Sequence, residues 1–133
     1  MELTVLVATL ALIQFIYFSM LVGKARGQYG VHAPATSGHP MFERHLRVQM
    51  NTLEQLVVFV PALFMFSWAF ENQGWPGHKI AAAMGVVWII GRALYARAYV
   101  KEPKSRGPGF GLTFLPTVLM ILGTLVAVFK GLL

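Results

Sequence analysis

The sequence is most informative in what it lacks. It has 133 residues with no cysteine, and only five acidic residues against eleven lysines and arginines. Without cysteine the chain has no disulfides, thiolate metal sites or cysteine nucleophile, so any sulfur chemistry needs a sulfur that a ligand supplies. The formal net charge of +6 would suggest nucleic acid in a soluble protein. Here no soluble module is present to display that charge, which excludes this class of function.

Long polar segments are also missing, because 56% of the residues are hydrophobic. A helix needs about 20 mainly apolar residues to cross the hydrocarbon core of a bilayer. Four such runs cover nearly the whole sequence, and the first follows Glu2 where a secretory signal would carry basic residues, so we interpret it as a retained span. The sequence predicts an all-α fold, an integral membrane four-helix bundle in a single domain over residues 1–133, with spans at about 3–23, 46–70, 79–99 and 111–130.

The basic residues are distributed unevenly between the two ends of these spans. Nine of them flank the first and third connections, and two, Lys79 and Lys130, flank the opposite ends. By the positive-inside rule, the first and third connections face the cytoplasm, and both termini lie on the far side. Four of the nine need no role beyond topology and contact with anionic lipid headgroups: Lys24, Arg97, Lys101 and Lys104.

The second predicted span carries polar residues on one face. Arg44, Arg47, Asn51 and Glu54 are three, four and three positions apart, so they fall within an arc of about 80°. A lone ionised side chain at the bilayer centre costs from about 2.5 kcal/mol upward. We therefore expect Glu54 to point into the protein and to pair with Arg47, Arg44 or Arg92.

The third predicted span repeats this pattern. Arg92, Tyr95 and Tyr99 share a face, and Arg106 follows after a break at Pro103. Two polar faces that point inward can line one site. Clustered arginines bind carboxylates or phosphates, and tyrosine hydroxyls donate hydrogen bonds to a carbonyl or thiolate. The pattern favours a small, polar, anionic ligand. The alternative is a buried ion-pair network with tyrosines at the membrane interface, which the excess of arginines over carboxylates disfavours.

Neither a metal site nor a catalytic triad is predicted. The four histidines have no convincing ligand spacing, and no serine has histidine and carboxylate neighbours in a recognisable nucleophile motif.

The polar residues also form two motifs of a known family. The first resembles the signature of the MAPEG superfamily, the membrane-associated proteins of eicosanoid and glutathione metabolism, and it reads Phe42-Glu43-Arg44-x-x-Arg47-x-Gln49-x-Asn51-x-x-Glu54. The second is similar to another signature of that family and reads Arg92-x-x-Tyr95-x-x-x-Tyr99, followed by Arg106. The lead-in Lys24-Ala25-Arg26 and Pro40 extend the resemblance, which covers all four spans.

The resemblance implies a left-handed bundle that assembles as a homotrimer and binds glutathione, as co-substrate, between neighbouring subunits near one membrane surface. It implies that Arg106 stabilises the glutathione thiolate, helped by Tyr99. The positions that are similar to glutathione-contacting residues, or that belong to the same motifs, are Arg26, Arg44, Arg47, Gln49, Asn51, Glu54, Arg92, Tyr95 and Tyr99.

The sequence departs from the leukotriene-forming members at three positions. A tyrosine that follows their motif glutamate is Gln55 here, and two arginines of their first connection are Gly27 and Gly30. These differences disfavour a leukotriene-specific role. The sequence is closer to the short bacterial members, which implies a multi-pass protein of the bacterial inner membrane. The distribution of basic residues places its active-site side in the cytoplasm.

Three hypotheses for function remain open. The leading one is a membrane glutathione S-transferase for detoxification, which joins glutathione to lipophilic electrophiles from the bilayer and has a possible second activity as a glutathione-dependent peroxidase. The second is a non-enzymatic lipid-binding or substrate-presenting protein, which the presence of Tyr99 and Arg106 disfavours. The third is a small drug exporter, but Gln14 is the only polar candidate for coupling within the first span.

Overall fold

The structure, a computed structural model that describes residues 1–133, is built from four long helices. They are α1 (Glu2–Tyr29), α2 (Pro40–Asn72), α3 (Gly77–Lys101) and α4 (Gly107–Leu132), with a short 3-10 turn at Pro103–Arg106 before α4. Each helix is long and apolar enough to cross a membrane. The predicted all-α four-helix bundle is therefore confirmed, and each predicted run lies within one helix.

Local sequence signals account for the helix ends. α2 begins well before the predicted span, because Pro40 occupies its first turn and Nδ1 of His39 accepts a hydrogen bond from the backbone N–H of Met41 at 3.1 Å. α1 ends at Tyr29 and is capped by Gly30, whose φ of 68° is left-handed and suits glycine. Pro103 follows α3 and starts the 3-10 turn. These signals place the two ends of the first connection and the start of α4.

α2 and α3 form the centre of the bundle, and α1 and α4 each pack against both of them. The ring of Phe59 stacks on Trp88 with centroids 4.2 Å apart, and Leu63 and Met120 complete this fully buried layer. The outer surface is apolar instead of polar, with exposed residues such as Val57 and Leu115. An apolar exterior over an apolar core is typical of a protein that is surrounded by lipid.

α1 and α3 are joined closely over only part of their length. Near the amino terminus Thr4 contacts the carbonyl of His78, and Nε2 of Gln14 donates to the carbonyl of Ile89 at 2.9 Å. Gly85 makes this approach possible, because an added Cβ would collide with the side chain of Val7. Toward the other end of the bundle, a cleft lies between the two helices.

Candidate functional site

A polar cleft opens between α2, α3 and the beginning of α4. Its lining residues are Arg47, Asn51, Tyr95, Arg106 and Phe110, and its volume is about 290 Å³. Four of these five residues were predicted from the two sequence motifs. Phe110 was missed, because a single aromatic residue in an apolar run carries no signal of its own.

On the α2 side of the polar cleft, Arg47 and Asn51 both contact Glu54. Nη1 of Arg47 lies 3.4 Å from Oε1 of Glu54, and Nδ2 of Asn51 donates to Oε2 at 3.5 Å. The side chains of Arg47 and Glu54 are 48% and 55% exposed in the single chain. The expectation that Glu54 points into the protein is therefore wrong for one subunit, because large residues such as Phe59 fill the core face of α2.

On the α3 side, Arg92 lies behind Tyr95 and does not line the polar cleft. The Arg92 side chain is fully buried, its Nη2 donates to Oγ1 of Thr52 at 2.9 Å, and its guanidinium lies 4.2 Å from the ring centroid of Tyr95. Tyr99 also stays outside the lining and stacks on Tyr95 with ring centroids 5.6 Å apart. Both residues therefore support the position of Tyr95. Thr52 was not predicted, since a threonine beside the motif asparagine has no distinguishing pattern.

The beginning of α4 reaches the polar cleft because Gly109 has no side chain. A Cβ at Gly109 would lie 2.6 Å from the Cα of Tyr95, which is too close for two carbon atoms. The 3-10 turn before α4 then carries Arg106 to the same end of the bundle as Arg47. The close contact between Gly109 and Tyr95 thus brings Arg106 and Tyr95 to the same cleft.

Arg44 belongs to the predicted polar face but leaves the site. Its Nη1 donates to the carbonyls of Val100 and Lys101 at 3.0 and 3.1 Å. These carbonyls end α3 and have no partner within the helix, so a long cationic side chain one turn before Arg47 is drawn to them. A shared arc on a helix therefore did not guarantee a shared site.

Arg26 and Gln49 also face away from the polar cleft of their own chain. Nη1 of Arg26 donates to the carbonyl of Ala35 at 2.7 Å, and its guanidinium lies 4.6 Å from the centroid of the Phe42 ring. Nε2 of Gln49 donates to Oγ of Ser19 on α1 at 2.9 Å. Neither residue lines the polar cleft of the same chain.

The polar cleft combines groups that suit a small ligand with both signs of charge. The two arginines supply donors for carboxylates. Glu54 is outside the lining but contacts Arg47 and Asn51, and it supplies an acceptor for an amine. Oδ1 of Asn51 is buried and has no hydrogen-bond partner, so a donor on a ligand would satisfy it. No group of three or more potential metal ligands is present in the structure.

Comparisons with known proteins agree with these features. The sequence model of the MAPEG family matches residues 4–126 of this chain. An uncharacterized protein of Synechocystis sp. is 41% identical over 123 residues, which are 92% of this chain and 85% of that protein. Microsomal glutathione S-transferase 2 of Homo sapiens is 40% identical over 120 residues, 90% of this chain and 78% of the relative. Leukotriene C4 synthase of Rattus norvegicus is 34% identical over 109 residues, 79% of this chain and 68% of the relative.

Proposed function

This chain belongs to the MAPEG family, and from that premise we propose that it is a glutathione S-transferase which joins glutathione to lipophilic electrophiles. Its four apolar helices and its family make it an integral, multi-pass membrane protein. The observation that carries the proposal is the meeting of Arg47, Asn51, Tyr95 and Arg106 in one cleft. The human relative is named as a microsomal glutathione S-transferase, which supports the same activity.

Glutathione, a tripeptide with two carboxylates, one amine and one thiol, matches the polar groups of the cleft. Arg47 would bind a carboxylate with its planar fork of donors. Glu54 would accept hydrogen bonds from the ammonium group, and Asn51 would use the carbonyl oxygen that is buried without a partner. These interactions hold the ligand equally in the ground state and the transition state, so they serve binding more than rate.

Arg106 would activate the thiol. A thiol with an unperturbed pKa of about 8.5 is only a few per cent ionised at neutral pH, and an adjacent guanidinium favours the thiolate. The thiolate, whose proton has passed to solvent, attacks the electrophilic carbon and forms the C–S bond. In a substitution the leaving group departs with the electron pair of its bond, and in addition to an activated alkene the π bond breaks and the neighbouring carbon takes a proton from solvent. Tyr99 would assist through its stacking on Tyr95. A thiolate held in this way could also attack a hydroperoxide, with a second glutathione completing the reduction to the alcohol, water and glutathione disulfide.

A homotrimer would explain two features of the single chain, an exposed ion pair and two motif residues that face away from the cleft. Arg47 and Glu54 are about half exposed on a surface that is otherwise apolar, and ionised groups are costly in contact with lipid. Arg26 and Gln49 face away from the polar cleft of their own chain. A neighbouring subunit that covers the cleft would shield the ion pair and bring its own Arg26 and Gln49 to the ligand.

The proposed location is a bacterial inner membrane, with the polar cleft at the cytoplasmic surface. The support is the excess of nine basic residues over two at the end of the bundle that carries Arg26 and Arg106. Topology reporters fused to the two termini should then report a non-cytoplasmic position. Cytoplasmic termini would contradict the assignment.

Replacement of the two arginines of the cleft separates binding from activation. Arg106→Ala should keep glutathione binding within a few-fold, abolish the thiolate absorbance and lower conjugation of a model electrophile by about 10² or more, as loss of a preorganised charge does. Arg47→Ala should mainly weaken binding. Lys104→Ala, which removes an exposed charge outside the cleft, is the matched control and should change neither quantity.

The same measurements also decide between a transferase and a non-enzymatic, substrate-presenting protein. If Arg106→Ala conjugates as fast as the parent protein, the assigned role of Arg106 is wrong. If the parent protein binds glutathione without ionising or transferring it, a substrate-presenting protein replaces the transferase.

A further inference from the structure

A second cleft, which we call the apolar cleft, lies on the other side of the α2–α3 pair. It opens between α1 and α3 with α2 as its floor, and its volume is about 500 Å³. Most of its lining is apolar, with Tyr17, Phe18, Leu21, Val48, Ala93 and Ala96 among the lining residues. The α4 helix does not contribute to it. The apolar cleft is therefore distinct from the polar cleft in both position and chemistry.

The apolar cleft has a cationic end. Arg44, Arg97 and Lys101 line it together with His45, and no acidic residue is among its lining residues. Arg44 is held in place by the carbonyls of Val100 and Lys101. These two bonds offset the negative end of α3, which would otherwise repel an anion, and they fix one positive charge at the mouth of the cleft.

The apolar lining continues from this cationic end into the membrane. Lys101 is the last residue of α3, and Ala93 is eight residues earlier, so the cleft runs about 12 Å along the helix. The short side chains of Ala93 and Ala96 leave room between α3 and α1. Tyr17, Ala93 and Arg97 are exposed, so a chain of the surrounding lipid can enter from the side.

We propose that the apolar cleft binds an anionic phospholipid of the bilayer. The phosphate would lie among Arg44, Arg97 and Lys101, and one acyl chain would lie between α1 and α3. Charge complementarity selects this occupant, because three permanent cations at the membrane surface lie above an apolar channel. Glutathione has no apolar chain to fill the channel, and a lipid with a zwitterionic head has no net charge for the three cations.

Native mass spectrometry of the detergent-purified protein tests this proposal. The protein is mixed with phosphatidylglycerol or with phosphatidylcholine of the same acyl chains, and the retained lipid is counted per chain. The parent protein should retain phosphatidylglycerol at least about tenfold more tightly. The double variant Arg97→Gln/Lys101→Gln should lose that preference, since each base near the surface contributes about 1 kcal/mol, or about fivefold in affinity.

Two further variants separate a built site from general attraction of acidic lipids. Lys24→Gln/Lys104→Gln removes the same charge from the same end of the bundle but not from the cleft, so it should keep the preference. Ala93→Trp should reduce retention of both lipids by filling the channel. All five substituted positions are exposed, so folding should be kept.

Several outcomes would overturn the proposal. One is a parent protein without preference for phosphatidylglycerol, and another is an equal loss in the cleft variant and the Lys24→Gln/Lys104→Gln control, which would indicate only general attraction. A third is equally tight binding of oleate and phosphatidylglycerol in the same assay. That result would make a free fatty acid the occupant. Glutathione binding of the cleft variants should be unchanged, so this test is independent of the transferase proposal.

Discussion

The two clefts lie on opposite sides of the same helix pair, yet they have opposite chemistry. The polar cleft is lined by charged, amide and aromatic side chains, whereas the apolar cleft is lined by small and hydrophobic ones with cations at its end. α3 contributes Tyr95 to the first and Ala96 to the second, which are adjacent in sequence and about 100° apart around the helix. On α2, Arg47 and Arg44 likewise serve different clefts. The comparison shows that the direction of a side chain, more than its position in the sequence, determines which of the two clefts it lines.

The largest expected effect tests whether only the polar cleft needs a second subunit. The variants Arg26→Ala and Arg106→Ala should each be nearly inactive when expressed alone. An intact site takes Arg106 from one subunit and Arg26 from its neighbour. When the two variants are co-expressed in equal amounts, each condition is met by half of the subunits, so about one site in four should be active. Tagged, purified mixed oligomers are assayed for conjugation. Lipid retention in the apolar cleft should be the same in every combination.

The matched control for this mixing is the pair Arg47→Ala and Arg106→Ala. Both residues line the polar cleft of one chain, so mixing these variants should restore no site. Equal recovery from the two mixtures, or recovery from neither, would contradict the contribution of Arg26 across the subunit boundary.

A smaller loss of activity is expected from a substitution at the contact between α4 and α3. Gly109→Ala places a Cβ against the backbone of Tyr95, and such overpacking costs about 1–3 kcal/mol. The helices must separate, so conjugation should fall about tenfold in steady-state assays. Phospholipid retention should not change, because α4 does not line the apolar cleft.

Gly111→Ala is the control for the α4 contact, since nothing lies within 4 Å of a Cβ at that position. Its activity should stay within about twofold of the parent, consistent with a surface substitution. Equal losses in the two glycine variants would instead indicate a general effect of helix flexibility.

The smallest effect is a change in the free energy of unfolding, and it tests why the apolar cleft is open. α1 and α3 touch at one end of the bundle and separate at the other. Gly85→Ala lies where α1 and α3 touch, and the added Cβ would collide with Val7 and lie 3.3 Å from Cδ1 of Leu63. It should lower the free energy of unfolding by about 1–3 kcal/mol. Ala93→Leu lies in the open half and should change it by at most about 0.5 kcal/mol. Thermal unfolding in detergent measures both, and a larger loss for Ala93→Leu would contradict an open cleft.

Much of the fold could be predicted from composition and spacing. Four apolar runs predicted four helices, because a chain in lipid must satisfy its backbone hydrogen bonds within each span. The helix boundaries were less predictable. α2 extends to Pro40 because His39 caps it, and this local hydrogen bond is not part of a hydrophobicity pattern.

The candidate site was predicted in part. The two motifs predicted Arg47, Asn51, Tyr95 and Arg106 as residues of one site, and the structure places all four in one cleft. Periodicity misjudged Arg44, because a long side chain can turn toward free carbonyls one turn away. Glu54 pairs with Arg47 as expected, but in the single chain it lies on an exposed face of α2, because the position of the core face depends on which helices pack against α2.

By itself the sequence determined the helices, the uneven distribution of charge and the residue types of both motifs, since these depend on local properties of the chain. The tertiary structure decided which of these residues meet. Gly109 brings α4 against Tyr95, and Arg92 is buried behind that ring. α1 and α3 close at Gly85 but leave a cleft beyond it. Such contacts depend on the packing of residues that are distant in sequence, and no period along one helix specifies its neighbour.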